Sequence, residues 1–237
     1  MTNRISMLAG AAAAALLATS AQAAVITLDF EDVADYPNNN DVTIDGFYNG
    51  GTSSIGTSGT NYGIEFSANT LLLCLNKPGV ACSNTSRGEA GPSDQGAIYF
   101  EAGPAAYMNV AAGFTTGFSF NYSIPFTLSS VIVYDGLNGT GNILAQANLP
   151  LTPDYGCDDD FSEGAAYCPF VSFGIAFNGT AKSVGFGGTN QAVYDDITFG
   201  SIIPGGGTVP EPATWAMLIM GFGAAGSVLR NRRRLIA

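Results

Sequence analysis

The 237-residue sequence predicts an all-β protein whose central part folds as two packed antiparallel sheets. Three observations lead there. Apolar residues alternate with polar ones in run after run, the period-two spacing of a half-buried strand. Glycine-rich turns separate the runs, and among them Asn138-Gly139 and Asn178-Gly179 are dipeptides that supply the positive φ of a tight hairpin. No amphipathic helical pattern of useful length occurs between residues 24 and 209. Short strands that each bury one face are accommodated by two antiparallel sheets stacked face to face.

The runs follow in order. Val25–Phe30 carries Ile26, Leu28 and Phe30 on one face. Residues 36–61 come next, with Asn38-Asn39-Asn40 and a Gly/Ser/Thr run from Gly50 to Thr60. Their few apolar anchors predict a long, mobile surface loop. Tyr62–Phe66, Thr70–Leu75, Ala97–Phe100 and Ala106–Val110 are the next strands. Phe114–Tyr122 aligns Phe118, Phe120 and Tyr122. Leu128–Tyr134 and Ile143–Leu149 flank the first hairpin dipeptide. Phe170–Phe177 aligns Val171, Phe173, Ile175 and Phe177 ahead of the second. Lys182–Phe186 puts Val184 and Phe186 on one face, and Val193–Phe199 does the same for Ile197 and Phe199. Residues 200–209, with Gly205-Gly206-Gly207, read as a flexible tether that ends a sandwich of residues 24–199.

Both ends of the chain read as targeting segments. Arg4, the apolar stretch Met7–Leu17 and the A-x-A site Ala21-Gln22-Ala23 predict a signal peptide over residues 1–23. At the other end Pro210-Glu211-Pro212 precedes an uncharged run, Ala213–Leu229, and then Arg230, Arg232, Arg233 and Arg234. The run is long enough for one transmembrane helix, and the arginines hold their flank on the cytoplasmic side. Trp215 suits the membrane interface. Gly221, Gly223 and Gly226 spell a dinucleotide fingerprint, but that pattern has meaning only between a strand and a helix.

Residues 210–237 resemble the PEP-CTERM sorting signal, in the variant with Trp-Ala after the motif. The resemblance rests on Val209-Pro210-Glu211-Pro212, Trp215-Ala216-Met217, Gly221-Phe222-Gly223, Gly226 and the terminal arginines. It implies recognition by an exosortase, a membrane-embedded enzyme that cuts near Pro-Glu-Pro and releases or transfers the ectodomain. The precursor is then membrane-anchored, and the mature protein is at the cell surface or extracellular. The central part also resembles jelly-roll ectodomains such as carbohydrate-binding and galactose-binding-like modules. The residues that carry this are Leu28-Asp29-Phe30-Glu31-Asp32 and Tyr194-Asp195-Asp196-Ile197-Thr198-Phe199-Gly200. In such modules the first and last strands are often neighbours, with a structural calcium near them. The resemblance implies Glu31, Asp32, Asp195 and Asp196 as its ligands.

Composition bounds the chemistry. Of the 19 acidic residues all but Glu211 lie between 24 and 209, where only Lys77, Arg87 and Lys182 are basic. So acidic a field repels nucleic acid and anionic lipid, and tolerates calcium or a neutral sugar surface. There is no histidine, so Ser-His-Asp and Cys-His catalysis and histidine-ligated metals are excluded. Four cysteines allow three connectivities. The pairs Cys74–Cys82 and Cys157–Cys168 are favoured because each flanks a turn-rich loop in an exported segment. Zinc is disfavoured without C-x-x-C spacing. Asp158-Asp159-Asp160 with Glu163 reads as a solvated acidic face. Asp195 shares strand parity with Ile197 and so faces the core, where a carboxylate needs a partner, either a cation or a backbone N–H.

Three functions fit. The first is a non-enzymatic surface or extracellular-matrix protein in extracellular polysaccharide. The second is a glycan-binding module using Tyr36, Tyr48, Tyr62, Tyr107, Tyr155 or Tyr167 as a platform. The third is a carboxylate-dependent glycoside hydrolase, which needs two convergent acids.

Overall fold

A computed structural model describes residues 25–37, 42–76, 82, 92–102, 106–154, 167, 169–188 and 190–206. All of them lie in the compact unit Ala23–Val209. The signal segment, Cys157, Cys168, the acidic run at 158–163, Tyr155 and the apolar run 213–229 fall outside the described residues. No helix among the described residues is long and apolar enough to cross a membrane.

Among the described residues eleven strands form, all paired antiparallel: β1 (Ile26–Leu28), β2 (Ile64–Phe66), β3 (Thr70–Cys74), β4 (Gly96–Phe100), β5 (Tyr107–Phe114), β6 (Gly117–Ser123), β7 (Ser129–Tyr134), β8 (Ile143–Leu149), β9 (Val171–Ala176), β10 (Ala181–Phe186) and β11 (Val193–Phe199). One sheet runs β3-β4-β11-β6-β9, with β1 also pairing β11, and the other runs β2-β5-β10-β7-β8. The predicted all-β, two-sheet sandwich is therefore the fold.

The core between the sheets is aromatic. Phe118, Phe120 and Tyr122 project from one face of β6, as the alternation requires, and all three are buried. Phe186 of β10, in the opposite sheet, stacks on Phe100 of β4 at 5.0 Å and meets Tyr194 of β11 edge-on at 4.9 Å. Tyr194 has its hydroxyl fully inside the core. That hydroxyl donates to the Gly187 carbonyl at 3.1 Å, and burial holds its pKa above the usual tyrosine value. A buried phenol without that acceptor would be costly.

Four expectations change in the structure. Residues 42–61 are not a loose surface loop. Val42, Ile44, Phe47 and Tyr48 are buried, a 3-10 turn spans Phe47–Asn49, and Thr43 bridges Leu71 of β3. Four apolar side chains suffice to fix a stretch that looks polar on average. Phe114 ends β5 instead of opening the next strand, because the chain turns at Thr116 with φ 80°. Asn178-Gly179 is a corner between sheets, since β9 and β10 lie in different sheets, whereas Asn138-Gly139 does join a paired hairpin, β7–β8. Residues 200–206, read as a tether, are held on the sandwich. Gly200 N donates to Gly117 O at 2.9 Å and Gly205 N to Thr198 Oγ1 at 3.0 Å.

The Cys74–Cys82 disulfide forms as expected, with 5.7 Å between the Cα atoms. It closes the chain leaving β3, and both cysteines are buried. Cys82 N donates to Asn76 Oδ1 at 2.8 Å. Replacing both cysteines by alanine is expected to lower the unfolding free energy of residues 24–209 by about 2–3 kcal/mol, the loop-closure entropy of so short a bridge. Urea titration checks it, and an unchanged midpoint would show that the bridge does not constrain the unfolded chain.

Candidate metal centre and sorting segment

The site arises where one strand edge serves two partners. Along one edge β11 pairs with β6. Along the other it pairs with β4 through Val193 and Tyr194, and with β1 through Ile197, Thr198 and Phe199. Between these stretches lie Asp195 and Asp196. The β11–β6 register shifts there, and Asp196 takes φ 48°. Such a bulge inserts one residue and resets the alternation. Tyr194 and Ile197, three apart, are therefore both in the core. The parity that would place Asp195 beside Ile197 is broken, and Asp195 is instead the buried residue at the switch.

The surrounding groups come from three parts of the chain. Asp195 is fully buried. Its Oδ1 accepts from Asp196 N at 2.7 Å, and Ser93 Oγ lies 3.0 Å from both carboxylate oxygens. Ser93 N is 3.4 Å from Oδ2. Glu31, just beyond β1, accepts from Gly96 N at 2.7 Å and Gln95 N at 3.3 Å. Ser93 Oγ is also 3.4 Å from Glu31 Oε1 and 3.3 Å from the Asp29 carbonyl. The approach requires glycine at the start of β4: a Cβ on Gly96 would sit 2.6 Å from the Phe30 carbonyl.

Four oxygens thus crowd one hydroxyl, which has a single proton to donate. Three of the four belong to carboxylates. Among the described residues the only basic side chain is Lys182, on β10 of the other sheet. Burial first, and then the neighbouring Asp196 charge, push the Asp195 carboxyl up to about 8. Burial likewise raises Glu31. Carboxylate, carbonyl and hydroxyl oxygens are the donors that calcium takes. Ser93 is exposed, which gives an ion a path from solvent. Glu31, Asp195, Ser93 and the Asp29 carbonyl would hold such an ion.

This set differs from the four acids expected. No group of three or more acidic or cysteine side chains suited to a metal occurs among the described residues. Asp196 turns away to accept from Asn121 Nδ2 at 2.9 Å. Asp32 lines a separate cleft with Thr27, Asp29, Tyr48, Thr60 and Tyr62. Ser93 carried no sequence signal, since it lies 102 residues from Asp195 in an unpatterned loop. Of the tyrosines proposed as a platform, Tyr48 and Tyr167 are buried and Tyr36 donates to Phe30 O at 2.8 Å. Tyr62 is 38% exposed and stacks on Tyr48, with centroids 6.2 Å apart.

Comparison with known proteins adds the other functional element. Residues 208–234 match the PEP-CTERM protein-sorting motif. That motif is the recognition signal for exosortase processing. The protein is therefore an exported β-sandwich, anchored at its C-terminal end and processed by an exosortase, that ends up at the cell surface or outside the cell. Comparison with curated proteins gave no match. Among solved structures, the K2 cleaved adhesin domain of Lys-gingipain is similar at 15% identity and a TM-score of 0.40, covering 74% of this chain and 99% of that one.

Two predictions follow from these elements. The mature protein from a host with an active exosortase should lack the residues after Trp215 by intact mass, and a chain complete through Ala237 would contradict processing. The second concerns pH. A carboxyl whose folded pKa lies above its unfolded value binds its proton more tightly in the native state. Without calcium, the stability this carboxyl contributes is therefore fully present below the ordinary carboxylate pKa and is lost as pH rises through about 8, the value of Asp195. Calcium replaces that proton, so it should raise the melting temperature of residues 24–209 more at pH 8 than at pH 5. A hundredfold excess over the dissociation constant stabilises by about 2.7 kcal/mol. At pH 8 Asp195→Asn should be the less stable protein in calcium and at least as stable as wild type in chelator. Identical melting curves in calcium and chelator would eliminate the metal.

Proposed function

We propose that the ectodomain is a non-enzymatic structural module, clamped by calcium, that serves at the cell surface or within extracellular polysaccharide. The observation that carries this reading is the convergence of Glu31 and Asp195 on Ser93 with no basic side chain beside them among the described residues. Both carboxylates are engaged by backbone N–H groups, an arrangement suited to joining β1, β4 and β11 and ill suited to transferring protons to a substrate. An ion there would tie the first strand to the last, which suits a protein that must persist outside the cell.

A second reading, a glycan-binding module, is supported by the cleft beside β1. Tyr62 offers an exposed ring face there, and Asp29, Asp32, Thr27 and Thr60 offer polar groups able to bind sugar hydroxyls. A glycoside hydrolase would draw on the same cleft, with Asp29 and Asp32 as its acids. A glycan array probed with residues 24–209, with and without calcium, separates the three. The structural reading expects no retained glycan. Binding that disappears in Tyr62→Ala would replace it with the glycan-binding reading. Release of sugar from an oligosaccharide, abolished in Asp32→Asn, would replace it with the hydrolase.

A further inference from the structure

The segment after β11 is a strap, and its placement bears on where the precursor's sandwich sits. Thr27, Thr198, Ser119 and Gly174 lie in one register row across β1, β11, β6 and β9. They are small and lie on the outer face, opposite the Phe118–Phe120–Tyr122 side. The strap crosses this face. A Cβ on Gly174 would collide with the Ile202 carbonyl, and one on Gly117 would sit 2.7 Å from Ile202 Cγ2. Both glycines are thus notches that seat the Ile202 backbone. Gly205 N is tied to Thr198 Oγ1, and Gly206 N closes a turn onto Ile203 O at 3.0 Å.

With its backbone held down, the strap still leaves two adjacent isoleucine side chains in solvent, Ile202 at 52% and Ile203 at 63% exposure. No charged residue occurs from 200 to 209, although the domain as a whole is strongly acidic. The covalent chain then sets a limit. Four residue steps separate Gly206 from Pro210, so they can be no more than about 14 Å apart, and seven steps to Ala213 span at most about 25 Å. The strap is therefore within reach of a bilayer entered at Ala213.

We propose that the strap is a membrane-contact surface, with Ile202 and Ile203 inserting into the headgroup region of the bilayer that anchors the precursor. The proposal rests on the anchored-precursor reading. An acidic domain is repelled from anionic lipid, and the uncharged strap is the side it can present at least cost. Cleavage at the sorting motif would end the constraint and free this apolar pair.

The test uses the full-length precursor in nanodiscs of phosphatidylethanolamine and phosphatidylglycerol that contain a phosphatidylethanolamine with a headgroup-proximal diazirine. After irradiation, peptides carrying lipid are mapped by mass spectrometry. Adducts are expected within 201–206 as well as within 213–229. Ile202→Ser with Ile203→Ser should abolish the former, leave the latter, and lower the melting temperature only slightly, because both side chains are more than half exposed. Adducts confined to 213–229 in the wild type, or 201–206 adducts that survive the double substitution, overturn the strap proposal while leaving the anchor intact. Absence of adducts in 213–229 removes the anchored-precursor reading and the strap proposal with it.

Discussion

One edge of β11 must serve two strands, and most of what distinguishes this sandwich depends on that. A strand edge offers one row of N–H and C=O groups. Here β4 takes the first part and β1 the last. Neither can continue the ladder through the switch, so the chain bulges at Asp195–Asp196. The bulge leaves Asp196 N free to donate to the Asp195 carboxylate, and it opens the space that Ser93 and Glu31 enter from the ends of β4 and β1. The same switch carries the Asp29 carbonyl towards Ser93 while its side chain lines the neighbouring cleft. The Glu31–Ser93–Asp195 cluster and the cleft are therefore two sides of one turn.

The electrostatics follow from that geometry. Burying carboxylates without a cationic side chain is unfavourable unless a proton or a cation compensates. Backbone N–H groups and one hydroxyl compensate in part, yet Asp195 still holds its proton far above the ordinary carboxylate range. Tyr36 and Tyr48 pack around the same turn, and burial raises both hydroxyls well above their usual pKa.

The chain from Gly200 to Gly206 is held on the sandwich. Gly117, Gly174 and Thr198 hold its backbone there. Exosortase recognition is carried by residues 208–234. The held segment and the signal are thus nearly contiguous in sequence.

By itself the sequence determined the strands, the Cys74–Cys82 bridge and the sorting signal. Each is written in local pattern: period-two alternation, a short cysteine spacing, and an ordered run of motif, apolar stretch and arginines. Tertiary structure decided the rest. Asn138-Gly139 and Asn178-Gly179 are alike as dipeptides, yet one closes a hairpin and the other turns a corner between sheets, because strand partners are chosen by which faces bury together. Val42, Ile44, Phe47 and Tyr48 became core through contact with distant strands. Asp195 and Glu31 were legible as acids near the two ends of the domain. Ser93 was not, and neither was the turning away of Asp32 and Asp196, because a one-residue bulge and a shared strand edge are long-range events that leave no periodic trace in the chain.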